Sequence, residues 1–505
     1  MKRTAILLIF ALLLCACQPT PEVDAVKQKD TNVLIDTVKT DQQEQQNAAA
    51  ALPPVKEQFP ERFTCDFTTS QQDVRVKADV PIDVLTDDVF PMLRVERRYL
   101  SDAERLTLAS RALGTDELYV WEDQITRKDL ENMIRDLMQE PTPEEKAEWM
   151  REWNGTETGW QQMLENRKAM LEEYQRQYNE LPADDSRVPL QKWDGSAPTY
   201  SRNYEIPNYA RIVRDRLPEG YFVYQDWIQV FADELDHPMD FSAARQSEDD
   251  MTDASFFGGA HKEGTVYIDK AEYDKPHEGA SVTPNDAIRM VQNVFSGIAD
   301  LKPAAVYWAN NAATDGDTKG MYTRWGYLIC FSQDFGGAYA PYCESMALEN
   351  GGDAEYVRSW FYESLRAVVD GEGNLIAFSW RAPSKVTNTV AESTPLLPTE
   401  EILKIFETQV NRMFVYDDQR NGRLTVDGVQ LGLFRIREKN DMDSGLMVPV
   451  WFFTGVFDYS KKTHDARLKQ GFNEAQASHA YYDSLNPLLI VNAIDGSIID
   501  PMKGY

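Results

Sequence analysis

The sequence predicts an α+β protein of antiparallel sheets with packed helices: an N-terminal α+β unit with a helical insertion, then two tandem αβ repeats. Three observations predict this. Val74, Val76, Ala78, Val80, Ile82 and Val84 alternate strictly, the period of a half-buried strand. Two amphipathic segments, opening at Pro284 and Pro398, are 114 residues apart and share an apolar spacing, Ile288 with Ile402 and Val291 with Ile405. Each has Pro where a helix begins, an acid in its first turn, and strand-like runs after it.

The elements follow in order. Lys2 and Arg3, an apolar run from Ala5 to Leu14 and then small residues read as a secretory signal over 1–16, too short to span a bilayer. Residues 17–60, rich in Gln, Lys, Asp, Ala and Pro, read as a flexible tether in which only Asn32–Val38 could dock as a strand. Residues 61–275 form the N-terminal α+β domain: the alternating strand, a second near Met92–Tyr99, and a helix capped by Ser101 and Glu104 that stops at Gly114. Within it, about 121–181 is helical and charged, with Trp160, Leu164, Leu171, Tyr174, Tyr178 and Leu181 on one stripe. That stripe belongs either to a projecting arm that binds a partner or to helices laid against the domain. Tyr200, Tyr204, Tyr209, Tyr221, Tyr224 and Trp227 suggest aromatic sheet packing or a ligand platform.

The repeats occupy 280–392 and 393–505, each closing on a strand–turn–strand, at Asp370–Asn374 and at Asp495-Gly496. Both turns carry the same apolar–acid–Gly–apolar pattern without a shared catalytic group, so Asp495-Gly496 is expected as a two-residue hairpin turn with both positions at positive φ. Counting outward from Gly336-Gly337 sets Cys330 opposite Cys343, which gives a cross-strand disulfide or two free thiols.

The 505 residues are 42% hydrophobic and 11% aromatic, enough for real cores, and the formal charge of −30 excludes nucleic acid and anionic lipid as broad partners. The usual hydrolase, zinc and nucleotide motifs are missing, and His237, His261, His277, His464 and His479 are scattered. Catalytic, cofactor-binding and metal residues are therefore expected to be none. Both Asp315–Gly320 and Asp370–Asn374 depart from a calcium loop at ligand positions.

Three resemblances sharpen this. Leu14-Cys15-Ala16-Cys17 resembles the bacterial lipobox, which implies lipidation at Cys17 and anchoring at the extracytoplasmic face of the cell membrane through that lipid alone. Val448–Phe453 ("VPVWFF") and Ile490–Asp500 ("IVNAIDGSIID"), after a helix and antiparallel strands, resemble the PepSY domain and the related YycH/YycI fold. The match covers roughly 280–505 as two copies; the first lacks the Pro-Val-Trp and the Asn-Ala. The Cys17 start and the Val74–Val84 strand are similar to a clostridial-type surface lipoprotein family of unknown function. These likenesses imply a non-catalytic protein that binds or modulates an envelope partner. A hydrolase acting on envelope or dietary polymers and a small-ligand-binding lipoprotein are the alternatives.

Overall fold

The computed structural model describes residues 31–47, 54–120, 126–152, 155–181, 191–196, 209–213, 227–231, 241–244, 266–310, 325–348, 359–438, 441 and 444–505. The expected signal segment and Cys17 lie outside them, as do Asp315–Gly320 and most of the aromatic run from Tyr200 to Tyr224.

The chain opens with α1 (Thr31–Asn47) and the single-turn α2 (Val55–Gln58). Then come β1 (Arg62–Thr68), β2 (Arg75–Val84), β3 (Met92–Arg97), α3 (Asp102–Leu113) and β4 (Tyr119–Val120). Three helices form the insertion: α4 (Arg127–Met138), α5 (Pro143–Glu152) and α6 (Glu157–Glu180). β5 (Tyr209–Val213), β6 (Trp227–Phe231), β7 (Phe241–Ala244) and β8 (Val266–Tyr267) lead to α7 (Pro284–Phe295), β9 (Leu301–Asn310) and β10 (Trp325–Gln333). A short pair, β11 (Met346–Leu348) and β12 (Ser359–Phe361), precedes β13 (Ser364–Asp370), β14 (Leu375–Arg381) and β15 (Ser384–Ala391). The C-terminal part holds α8 (Thr399–Met413), β16 (Arg423–Arg437), β17 (Ser444–Asp458), α9 (Lys461–Lys469), α10 (Glu474–Ser478), β18 (His479–Tyr482) and β19 (Leu489–Asn492).

The architecture is α+β, built on two large antiparallel-rich sheets. The first runs β1-β2-β16-β17-β3-β15, with β18 and β19 also on β17; the second runs β4-β5-β6-β7-β14-β13-β10-β9-β8. Segment 61–275 is thus shared out: β1 to β3 join the C-terminal strands, and β4 to β8 join those that follow α7. The alternating strand recognised in the sequence is β2. It pairs antiparallel with β1 and parallel with β16, so its ladder closes only when the two ends of the chain meet.

Each sheet buries a helix. Ala287, Ile288, Val291 and Phe295 of α7 pack with Phe378 and Trp380, while Leu108, Ala109 and Ala112 of α3 join the same core. Thr283 and Asp286 form the capping box that starts α7. On the first sheet Ile402, Phe406 and Val410 of α8 pack with Phe63, Trp451 and Phe453. β17 is apolar on both sides: Met447, Trp451, Phe453 and Phe457 face this core, and Leu446, Val448, Val450 and Phe452 face another on the back of the sheet. That alternation is the period of two written without polar residues.

α1 closes part of the back face, so within the expected tether residues 31–47 are helical. Leu34, Ile35 and Val38 are buried in the cluster that holds Met92, Ala391, Leu446 and Val448. Spacings of i, i+1 and i+4 set these three side chains on one helical face. Val55 of α2 is also buried, its N–H donating to Asp88 O at 2.8 Å. In the insertion the α6 stripe meets its own neighbours: Trp160 packs edge-on against Trp149 at 5.6 Å, and Tyr178 lies 4.8 Å from the Arg127 guanidinium.

Candidate functional site

The turn at the end of the chain is structural. The Asn492 N–H donates to Ser497 O at 2.8 Å and the Gly496 N–H to Asn492 O at 2.9 Å, which closes a four-residue loop, Ala493–Gly496. Gly496 has φ of +72°, whereas Asp495 is not among the positive-φ residues; this corrects the expected two-residue turn, since the longer loop needs only one left-handed position. The Asp495 carboxylate accepts from Ser497 N at 2.9 Å and Ser497 Oγ at 2.6 Å, and buried Asn492 accepts from Ile494 N at 2.9 Å. In the other turn Asp370, also buried, accepts from Glu372 N, Asn374 N and Asn374 Nδ2 at 3.0, 2.7 and 3.0 Å. Both acids accept from the backbone and side chains of their own turns.

Cys330 and Cys343 are free thiols, and the disulfide alternative is corrected. The Gly336-Gly337 turn forms, with φ of +79° and +92° and an Asp334–Tyr339 bridge. The hairpin then ends, because the Tyr339 N–H donates to Leu85 O and Tyr339 O accepts from Leu433 N in the first sheet. Cys330 stays in β10 between Arg366 of β13 and Ala305 of β9, with both neighbours already occupied. Burial pushes each of these thiols up to about 12.

Among the described residues, a group of buried ionisable side chains lies where the chain passes between the sheets. Glu363, in the two-residue link from β12 to β13, is partly exposed as a residue, but its carboxylate is held inside: Oε1 accepts from Trp380 Nε1 at 3.0 Å and Oε2 from Ser384 N at 2.9 Å. It therefore clasps the end of β14 in one sheet to the start of β15 in the other, across Ala382, a buried non-glycine at φ of +50°. Burial raises its carboxyl to about 8, against the bonds from Trp380 and Ser384 and the fields of Arg98 and Arg435. Beside it, buried Arg435 sits 3.5 Å from the Trp360 ring centre and 4.8 Å from that of Tyr362, and donates to Trp360 O at 2.8 Å. Burial lowers its guanidinium to about 9. Gln333, Tyr362, Glu363, Ser384, Arg435 and Met447 line a cavity of about 20 Å³ here. That is room for one or two water molecules and too little for a metabolite. The junction joins the sheets.

His464 bridges Asp465 and Glu474 at 3.3 and 3.0 Å, and His479 contacts Asp458 at 2.7 Å, while His277 stacks on Trp308 at 4.7 Å. They occupy separate places in the fold. Among the described residues no group of three or more His, Cys, Asp or Glu could hold a metal ion, and no helix is long and apolar enough to cross a membrane.

The surface feature with the clearest recognition geometry is β1, which ends the first sheet among the described strands. Its seven pairs with β2 run in unbroken register. The Ile82 N–H donates to Glu61 O and the Thr69 N–H to Val74 O, so the odd-numbered residues bond inward. The backbone N–H and C=O of Arg62, Thr64, Asp66 and Thr68 therefore point away from the sheet. Phe63 is buried under α8, while Cys65 and Phe67 on the same face are half-covered. At the opposite edge, β15 has two register shifts in eight residues, and irregularity of this kind makes an edge strand resist pairing.

No family model matches the chain, and no curated protein does. Among solved structures, the crystal structure at 1.45 Å resolution of an uncharacterized protein from Eubacterium rectale ATCC 33656 aligns over 94% of this chain and 99% of that one, with a TM-score of 0.44 and 12% identity.

Proposed function

We propose that this chain is a non-catalytic, lipid-anchored protein of the extracytoplasmic face that binds an envelope protein by strand addition at β1. The observation that carries this reading is the contrast between the two edges of the first sheet. β15 has two register shifts in eight residues, whereas β1 keeps an unbroken register and, among the described residues, presents a regular row of unpaired backbone groups beside a half-covered apolar face. A partner strand with alternating apolar and polar residues would pair with Arg62–Thr68 and bury Cys65 and Phe67, with backbone hydrogen bonds supplying affinity and the apolar face supplying selectivity. The anchor rests on Leu14-Cys15-Ala16-Cys17 after the apolar run from Ala5 to Leu14. α7 followed by β9, β10, β13 and β14, and α8 followed by β16, β17 and β19, support reading 280–392 and 393–505 as PepSY-like units.

Thr64→Pro tests the reading. Proline removes one outward N–H and leaves every β1–β2 bond in place, a change edge strands tolerate. The parent should enrich one envelope protein from detergent-solubilised envelopes, and the variant, with unchanged circular dichroism, should lose it. Equal recovery with both would refute strand addition at β1.

A further inference from the structure

We infer that a second copy of this chain occupies the β1 edge when the envelope partner does not: two β1 strands pair antiparallel about a two-fold axis at Cys65, and each copy thereby closes the other's edge. This rests on the open β1 edge of the proposed function and adds its regulation. Among the described residues β1 is a seven-residue edge in unbroken register, and such an edge is a template for a further strand.

The hydrogen-bond phase limits the registers. The N–H and C=O of Arg62, Thr64, Asp66 and Thr68 point outward, so these residues must form the hydrogen-bonded pairs with an incoming copy. Near the middle of the strand this leaves two-folds at Thr64, Cys65 or Asp66. At Asp66 the two Asp66 side chains would stand directly opposite, which opposes pairing. At Thr64, Phe67 would meet Glu61, and Arg62 would meet Asp66. Those two charges are already engaged within the chain, Arg62 with Asp79 at 2.7 Å and Asp66 with Arg75 at 3.1 Å. At Cys65, each Phe67 lies opposite Phe63 of the other copy, Arg62 opposite Thr68 and Thr64 opposite Asp66, with no like charges opposed. This register alone of the three sets phenylalanine against phenylalanine, and does so twice. Cross-strand aromatic pairs are favourable, and half-covered Phe67 gains a neighbour. Phe63 is held near Phe406 and Phe453, at 5.5 and 5.2 Å, and offers the incoming ring a fixed surface. The contact is isologous, so it closes at two copies. It is one strand wide and therefore weak in solution; the proposed lipid anchors, by holding both copies in one plane, raise their effective concentration.

The test uses a chain that starts at residue 18 and so keeps every described residue. Sedimentation from roughly 1 μM to roughly 200 μM should show a monomer–dimer equilibrium. Exposed Thr64 faces Asp66 of the other copy twice, so charge at position 64 acts with a sign: Thr64→Lys should tighten the dimer about 5-fold and Thr64→Asp should weaken it about 5-fold. Added diamide should join the dimer through Cys65, because the on-axis pair sets the two Cα atoms about 4.5 Å apart, within disulfide reach. The two thiols lose two electrons and two protons to the diamide as the S–S bond forms. The joined dimer should capture no envelope protein and should regain capture on reduction. A monomer throughout would overturn the inference, as would a dimer indifferent to the sign at position 64, one that diamide does not join through Cys65, or a joined dimer that captures as well as the reduced chain. If either Thr64 variant has altered circular dichroism, the Cys65 crosslink in the parent decides. A monomeric parent that captures its partner through β1 leaves strand addition standing while this inference falls. A dimer from which no reduced chain captures anything does the reverse.

Discussion

Glu363→Gln should change the sign of its effect on stability as pH rises. In the parent both carboxylate oxygens accept, from Trp380 Nε1 and from Ser384 N. A glutamine keeps one acceptor and turns an amide NH₂ toward the other donor, so a buried bond is lost at a cost of about 1–3 kcal/mol. That loss is present at every pH. The parent alone titrates: its carboxyl is raised to about 8 in the fold, from about 4.3 in an unfolded chain. The stability it contributes is therefore complete below pH about 4.3 and is lost as pH climbs through about 8, where the folded protein must hold a buried carboxylate. The difference amounts to at most about 5 kcal/mol, less where solvent reaches the group. Near pH 5, where about 1 kcal/mol of that contribution is already lost, the variant should be less stable than the parent by up to about 2 kcal/mol. At pH 9 it should be more stable, by up to about 2–4 kcal/mol. Urea unfolding at pH 5, 7 and 9, followed through the fluorescence of nearby Trp360 and Trp380, measures both limbs. A parent–variant difference that keeps one sign and one size over this range would refute the reasoning.

Two further expectations follow from the turn and the thiols. Gly496→Val combines strain at φ of +72° with a Cβ only 2.5 Å from Ile405 Cδ1, so it should cost about 2–5 kcal/mol in thermal or urea unfolding. Asp495→Asn retains an oxygen for Ser497 and should stay within about 0.5 kcal/mol of the parent. In a chain that starts at residue 18, denatured without reductant, Cys65, Cys330 and Cys343 should all titrate as free thiols; in the native protein Cys65 alone of these three should react, and slowly, because burial holds it near 11 while the other two are fully enclosed. Recovery of one thiol instead of three would restore the disulfide.

What was legible in the sequence was what neighbouring residues decide. The alternation in β2, the Ser101–Glu104 cap, the Pro-led helices at Pro284 and Pro398 and the Gly336-Gly337 turn all stand where local pattern sets them. What distant pairing decides was not visible. The register from Gly336-Gly337 holds for one bridge, then loses to Leu85 and Leu433, whose hydrogen bonds draw the return chain into the other sheet. α1 was hidden by its polar tail: three aliphatics in a Gln-rich stretch cannot order a helix alone, and the apolar back of the first sheet does it for them. Glu363 and Arg435 look in sequence like surface charges, since nothing local marks the meeting of the sheets around them. The β1 edge is the clearest case. Whether a strand is interior or open depends on every other strand in the sheet, and here on strands about 350 residues away in sequence, as in the β2–β16 ladder.

The most direct measurement is photo-crosslinking in intact cells, with a photoreactive residue at exposed Thr68 on β1 or at exposed Val386 on β15. Strand addition at β1 predicts a discrete crosslinked envelope protein from position 68, none from position 386, and loss of the first product when Thr64→Pro is added. Crosslinks of equal yield from both edges, or a product at position 68 that survives Thr64→Pro in a folded chain, would contradict it.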